Sequence, residues 1–121
     1  ARRSTIAEYR YAFERVIMPA LQRFQPGLIL ISAGQDILSD DQVGNMDLAP
    51  PDIGLLAGTL RLNEDAPIAL VLEGGYGPSH PLAVRSIFDA LDGKMPSQAA
   101  LSPNETMKYR IDRIARLHRL A

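Results

Sequence analysis

Two short runs of apolar, β-prone residues constrain the fold of this chain more than any other feature: Leu28-Ile29-Leu30-Ile31 and Pro67-Ile68-Ala69-Leu70-Val71-Leu72. Neither run alternates apolar with polar positions, so each reads as a strand buried on both faces, as strands are in a parallel sheet between helical layers. Parallel strands need a crossover, and the stretch between the runs supplies one. Pro50, Pro51 and Asp52 suit a helix start, Ile53 to Leu62 is apolar enough to pack on a sheet, and Asn63 to Ala66 ends the element.

Upstream, Thr5 and Glu8 have the spacing of a capping box. The positions Ile6, Tyr9, Phe13, Val16, Ile17, Ala20, Leu21 and Phe24 form a helical stripe. Pro19 inside that stripe predicts a kink or a second short turn, and Gln25, Pro26 and Gly27 break the helix. Beyond the second strand a helix is expected from His80 to Leu91, ended by Asp92 and Gly93. A last amphipathic helix should run to Leu120, with Ser102 as N-cap, Pro103 in the first helical position and Glu105 as reciprocal cap. The order helix, strand, helix, strand, helix, helix implies right-handed crossovers and an α/β fold, a parallel sheet with helices on both sides. Residues 1–93 would form the core, and 94–121 a linker and C-terminal helix.

The 121 residues suffice for one small domain, and 46% hydrophobic against 22% charged residues places the chain among globular proteins. With 13 Lys and Arg against 14 Asp and Glu, the net charge of -1 gives no broad pull toward nucleic acid or an anionic membrane. The absence of Cys removes disulfides and thiolate metal sites and fits a cytoplasmic setting. The apolar runs are too short to span a bilayer and no signal peptide pattern opens the chain. A start at Ala1, directly at a helix, points to a processed, trimmed or partial chain.

Both strands lead into unusual loops. Residues 32–45 are rich in glycine and carboxylates, and Glu73-Gly74-Gly75-Tyr76-Gly77-Pro78 is a glycine-rich turn toward a helix. Ligands of open parallel sheets bind beyond the carboxyl ends of the strands, so Asp36 and Tyr76 are expected to converge on one edge. There Asp36 could ligate zinc or simply accept from loop amides. Tyr76 could donate to a developing oxyanion or merely pack its loop. The glycine loop Gly74-Gly75-Tyr76-Gly77 is neither G-x-G-x-x-G nor G-x-x-x-x-G-K-[ST], and no Lys follows it in the required place. His80 is expected to start a helix, and His118 to lie near the C-terminal end of another, where a cation is favourable.

Three blocks, Pro26-Gly27-Leu28-Ile29-Leu30-Ile31-Ser32-Ala33-Gly34-Gln35-Asp36, Asp41-Gln42-Val43-Gly44-Asn45-Met46 and Leu70-Val71-Leu72-Glu73-Gly74-Gly75-Tyr76, resemble in order and spacing the C-terminal third of the histone deacetylase and acetylpolyamine amidohydrolase superfamily. The similarity runs from about Tyr9 to Asp92. It implies the arginase/deacetylase-like three-layer fold, with Asp36 as a zinc ligand and Tyr76 as the phenol that hydrogen-bonds the scissile carbonyl. It also implies that Val43, Gly74 and Gly75 line a narrow acyl-lysine channel. Gln42 stands where the family has proline and Val43 where it has leucine. Gln35 replaces a frequent phenylalanine, as in members of prokaryotic type.

The implied reaction is zinc-assisted hydrolysis of an acetyl-lysine or acetylpolyamine amide. The family's Asp-x-His segment and its tandem histidines have no counterpart here, so the chain alone is expected to be inactive and to bind zinc weakly. The competing expectation is a self-standing, non-catalytic α/β module for binding or assembly. With only two strands it would expose strand edges and should form a homo-oligomer.

Overall fold

The computed structural model describes residues 3–63, 65–97 and 100–120. Helix α1 (Ile6–Ala12) opens with the expected capping box. The Thr5 Oγ1 accepts from the Ala7 amide at 3.3 Å, and Glu8 Oε2 accepts from the Thr5 amide at 2.7 Å. From Phe13 to Ile17 the helix widens into a π-helical turn before α2 (Met18–Phe24), and the Met18 amide reaches back to the Phe13 carbonyl. Pro19 falls at the start of α2, directly after that turn. The wide turn thus accommodates the proline. Gln25, at φ 51°, closes α2 in the left-handed region, and its amide donates to the Leu21 carbonyl at 2.8 Å.

Strands β1 (Ile29–Ala33) and β2 (Ile68–Leu72) pair in parallel, in register from Ile29 with Ile68 to Ala33 with Leu72. Helix α3 (Pro50–Asn63) makes the crossover between them, and α4 (His80–Leu91) follows β2. Their packing is close. A Cβ on Gly54 would stand 2.2 Å from Ser86 Oγ and 2.5 Å from the Ser86 carbonyl oxygen, so the α3 backbone lies directly on α4. The core joins Ile53, Leu56 and Ala57 of α3 with Ala83 and Ile87 of α4, Ile6 of α1 and the loop residues Leu38 and Leu48.

The strands are not buried on both faces. Ile31, Ala33 and Leu70 line a cavity closed by Leu56, Ala57 and Ile87, which marks the inner face of the sheet. On the other face Leu30 is 67% and Val71 49% exposed. The continuous apolar runs suggested cover on both sides, but α3 and α4 lie on one side and the opposite side of this two-stranded sheet is bare.

Helix α5 (Glu105–Leu117) also begins differently from expectation. Asn104, not Ser102, is its N-cap: the Asn104 Oδ1 accepts from the Met107 amide at 2.9 Å. Pro103 therefore precedes the helix and Glu105 is its first residue. The cap is displaced because the Asn104 amide donates to Glu8 Oε1 at 2.9 Å, which docks this end of α5 on the start of α1. Further along, Tyr11 Oη donates to Asp112 Oδ1 at 2.8 Å and Arg15 Nε lies 3.2 Å from the same oxygen. No described helix is long and apolar enough to cross a membrane.

Candidate functional site

The ladder between β1 and β2 continues past the strands into their loops. The Glu73 amide donates to the Ala33 carbonyl at 3.3 Å, and the Gln35 amide to the Gly74 carbonyl at 3.0 Å. The two loops therefore leave the sheet side by side at its carboxyl end, one bearing Asp36 and the other Tyr76. Gly75 makes this possible. It is buried at φ +98°, and a Cβ there would stand 2.5 Å from the backbone carbonyl carbon of Gln35.

Asp36 is exposed, and no described residue donates a hydrogen bond to its carboxylate. Burial raises the pKa of the Tyr9 phenol of α1, and the Asp36 charge raises it further, which puts that charge beside the helix. Tyr76 is 83% exposed, with its ring turned over Gly74: a Cβ on Gly74 would lie 3.8 Å from the Tyr76 hydroxyl. Val43 is 85% exposed on the neighbouring loop. His80 begins α4, with its Nδ1 hydrogen-bonded to the Gly75 carbonyl, and His118 caps the C-terminal end of α5. Both histidines sit where their helical patterns place them. Gln35 is 1% exposed, and its Oε1 is buried without a partner among the described residues.

The loop after β1 is held as a closed excursion by Leu38 and Leu48, which pair across its base and are 1% and 0% exposed. Among the carboxylates inside it are Asp40 and Asp41, to which the motif reading gave no role. Asp41, 9% exposed, accepts from the Val43 and Gly44 amides through Oδ1, each at 2.8 Å, and from the Tyr76 amide through Oδ2 at 2.8 Å. Asp40 accepts from the Ser79 amide at 2.9 Å and the Ser79 hydroxyl at 2.8 Å. The Tyr76 amide, followed by those of Gly44 and Val43, holds the Asp41 carboxyl below its ordinary pKa. An aspartate beside glycine in a loop is a legible local amide acceptor, but a bond to a residue 35 positions away is not.

A metal ion of catalytic type needs three protein ligands and an open position. Among the described residues no three His, Cys, Asp or Glu side chains cluster to hold one. Asp36 is exposed and accepts from no described donor, and a carboxylate is a chemically suitable oxygen ligand for such an ion.

Against known proteins, residues 1–91 match the model of the histone deacetylase domain. The chain is 31% identical over 115 residues to histone deacetylase HDA1 of Saccharomyces cerevisiae, covering 92% of this chain and 16% of that protein. It is 39% identical over 70 residues to the polyamine deacetylase HDAC10 of Mus musculus, covering 58% of this chain and 10% of that one. The solved structure of the histone deacetylase Clr3 superposes with a TM-score of 0.84 at 25% identity, over 95% of this chain and 20% of that one. The chain thus spans a fifth or less of the length of each of these three proteins.

Proposed function

From the premise that this chain belongs to the histone deacetylase domain family, we propose that it forms part of the active site of a zinc-dependent amide hydrolase, with Asp36 as one zinc ligand and Tyr76 as the oxyanion donor. The observation that supports this reading is the joined pair of loops. The Gln35 to Gly74 hydrogen bond at 3.0 Å joins the loop that bears Asp36, whose carboxylate has no donor among the described residues, to the loop that bears the exposed Tyr76. A zinc ion bound there would polarise the amide carbonyl and acidify a water. Tyr76 would donate its phenol proton in a hydrogen bond to the carbonyl oxygen as negative charge builds on it. Val43, Gly74 and Gly75 would border the acyl chain's path, where the two glycines leave room beside the phenol.

The substrate class on this reading is an acetylated amine, acetyl-lysine in a protein or an acetylpolyamine. The remaining zinc ligands and the proton-transfer groups would come from outside residues 1–121, which are read as the C-terminal portion of a deacetylase domain in a cytoplasmic protein. The chain by itself would then be catalytically silent and a weak zinc binder.

The experiment is Tyr76→Phe in the intact deacetylase, assayed on an acetyl-lysine peptide and an acetylpolyamine. The expected result is a kcat lower by about a hundredfold or more with zinc content unchanged. Turnover near that of the parent would remove Tyr76 from the mechanism. Asp36→Ala should instead lower zinc content, and full zinc stoichiometry in that variant would overturn the ligand assignment.

A second reading, a non-catalytic assembly module, draws on the exposed Leu30 and Val71. It predicts a discrete oligomer of the chain alone.

A further inference from the structure

We infer that Asp41 is a positioning residue, a carboxylate that fixes where Tyr76 stands relative to Asp36; the inference rests on the catalytic reading of those two residues. The Gln35 amide and the His80 ring hold the carbonyls of Gly74 and Gly75, but Tyr76 itself is bonded by Asp41. Its side chain is 83% exposed, and the two residues before it are glycines at φ +92° and +98°. Glycine restricts its own backbone least of all residues, so the direction in which the chain presents Tyr76 must be imposed from outside the loop. The Asp41 Oδ2, 2.8 Å from the Tyr76 amide, is the tether.

The other oxygen of the same carboxylate reaches toward Asp36. Asp41 Oδ1 accepts from the Val43 and Gly44 amides at 2.8 Å each. Gly44 in turn lies so close to Asp36 that a Cβ on it would stand 1.5 Å from the Asp36 carbonyl oxygen. One rigid, planar group thus spans the two loops, with one oxygen on the segment that backs Asp36 and the other on the residue that bears the phenol. Asp40 continues the clasp by one step, since its two oxygens accept from the Ser79 amide and hydroxyl just before α4.

A carboxylate suits this place because its partners are N–H donors and it offers acceptors only. Asparagine would turn one oxygen into an NH₂ group facing a donor, so either the Tyr76 amide or the Val43 and Gly44 pair would lose its partner.

The test is Asp41→Asn in the intact deacetylase, alone and combined with Tyr76→Phe. Asp41→Asn should lower kcat about tenfold or more while KM and zinc content stay within a few-fold, because a charge-assisted bond is lost away from substrate and metal. In the Tyr76→Phe background the same substitution should cost almost nothing further, since positioning an absent hydroxyl has no value. Full additivity of the two losses would show that Asp41 acts through the general fold and would overturn the inference.

Amide exchange across the peptide from Glu73 to Ser79 gives a readout independent of activity. Asp41→Asn should speed exchange there roughly tenfold or more while protection in α3 is unchanged. Unaltered exchange would also overturn the inference, whereas altered exchange with a fully active Tyr76→Phe would sink only the catalytic reading beneath it. Asp41→Glu, which keeps the charge but moves it by one methylene, supports the same comparisons if the asparagine variant does not fold.

Discussion

Glu8 carries more of the architecture than its place in a capping box suggests. Its carboxylate is 6% exposed and accepts from the Thr5 amide and hydroxyl on one side and the Asn104 amide on the other. Burial alone would raise its pKa, but the Asn104 and Thr5 donors outweigh burial and leave it below the ordinary 4.5. A depressed folded pKa contributes stability that is present above the unfolded value and lost as pH falls through the folded one. Acidification below about pH 4.5 should therefore loosen the contact of α5 with α1. Glu8→Gln should reduce the slope of stability against pH in that window, measured by denaturant melts at stepped pH. Part of the slope should remain, because the carboxyls of Asp41 and Asp112 are lowered in the same sense. An unchanged slope would show that Glu8 titrates alike in the folded and unfolded chain.

Residues whose roles follow from short spacings were legible beforehand, as with Thr5 and Glu8. Asp36 and Tyr76 were placed correctly at the carboxyl end of the sheet because strand polarity alone puts them there. Asp41 was not given a role, because its decisive partner is 35 positions distant and only the pairing of β1 with β2 brings the two together.

At the level of elements, α3 and α4 are set by small residues where they meet. Gly54 abuts Ser86, and Gly58 leaves room for Met95, whose sulfur would lie 2.2 Å from a Cβ added there. Gly54→Ala gains helix propensity, worth about 1 kcal/mol in an open helix, yet must push against Ser86 backbone. Overpacking of this kind typically costs about 1–3 kcal/mol, so the variant should melt at a lower temperature than the parent. A Tm equal or higher would mean that α4 shifts freely away from α3. The same scale holds the misplaced start of α5. Ser102, Pro103 and Glu105 form a plausible local start, but the Asn104 amide finds Glu8, 96 residues earlier, and the helix begins where that contact sets it.

For the whole molecule, the sheet is the unfinished part. Leu28, Leu30, Val71 and Leu72 are 58%, 67%, 49% and 52% exposed, and the strands have open edges. Apolar faces and edges of this kind promote association. The chain by itself should therefore self-associate at micromolar concentration in sedimentation velocity, and Leu30→Glu should weaken that association without lowering Tm. A monodisperse monomer of the parent chain would contradict this.

By itself the sequence determined the element types, their order and the α/β class, because helical and strand periodicity, caps and glycine breaks are local properties that a short window of residues expresses in full. It also determined that Asp36 and Tyr76 leave the same end of a parallel sheet. Only the tertiary structure decided which sheet face α3 and α4 cover, where α5 begins, and that Asp41 ties the two loops together. Each of these depends on pairing between residues far apart in the chain, and such pairing leaves no periodic trace in the sequence.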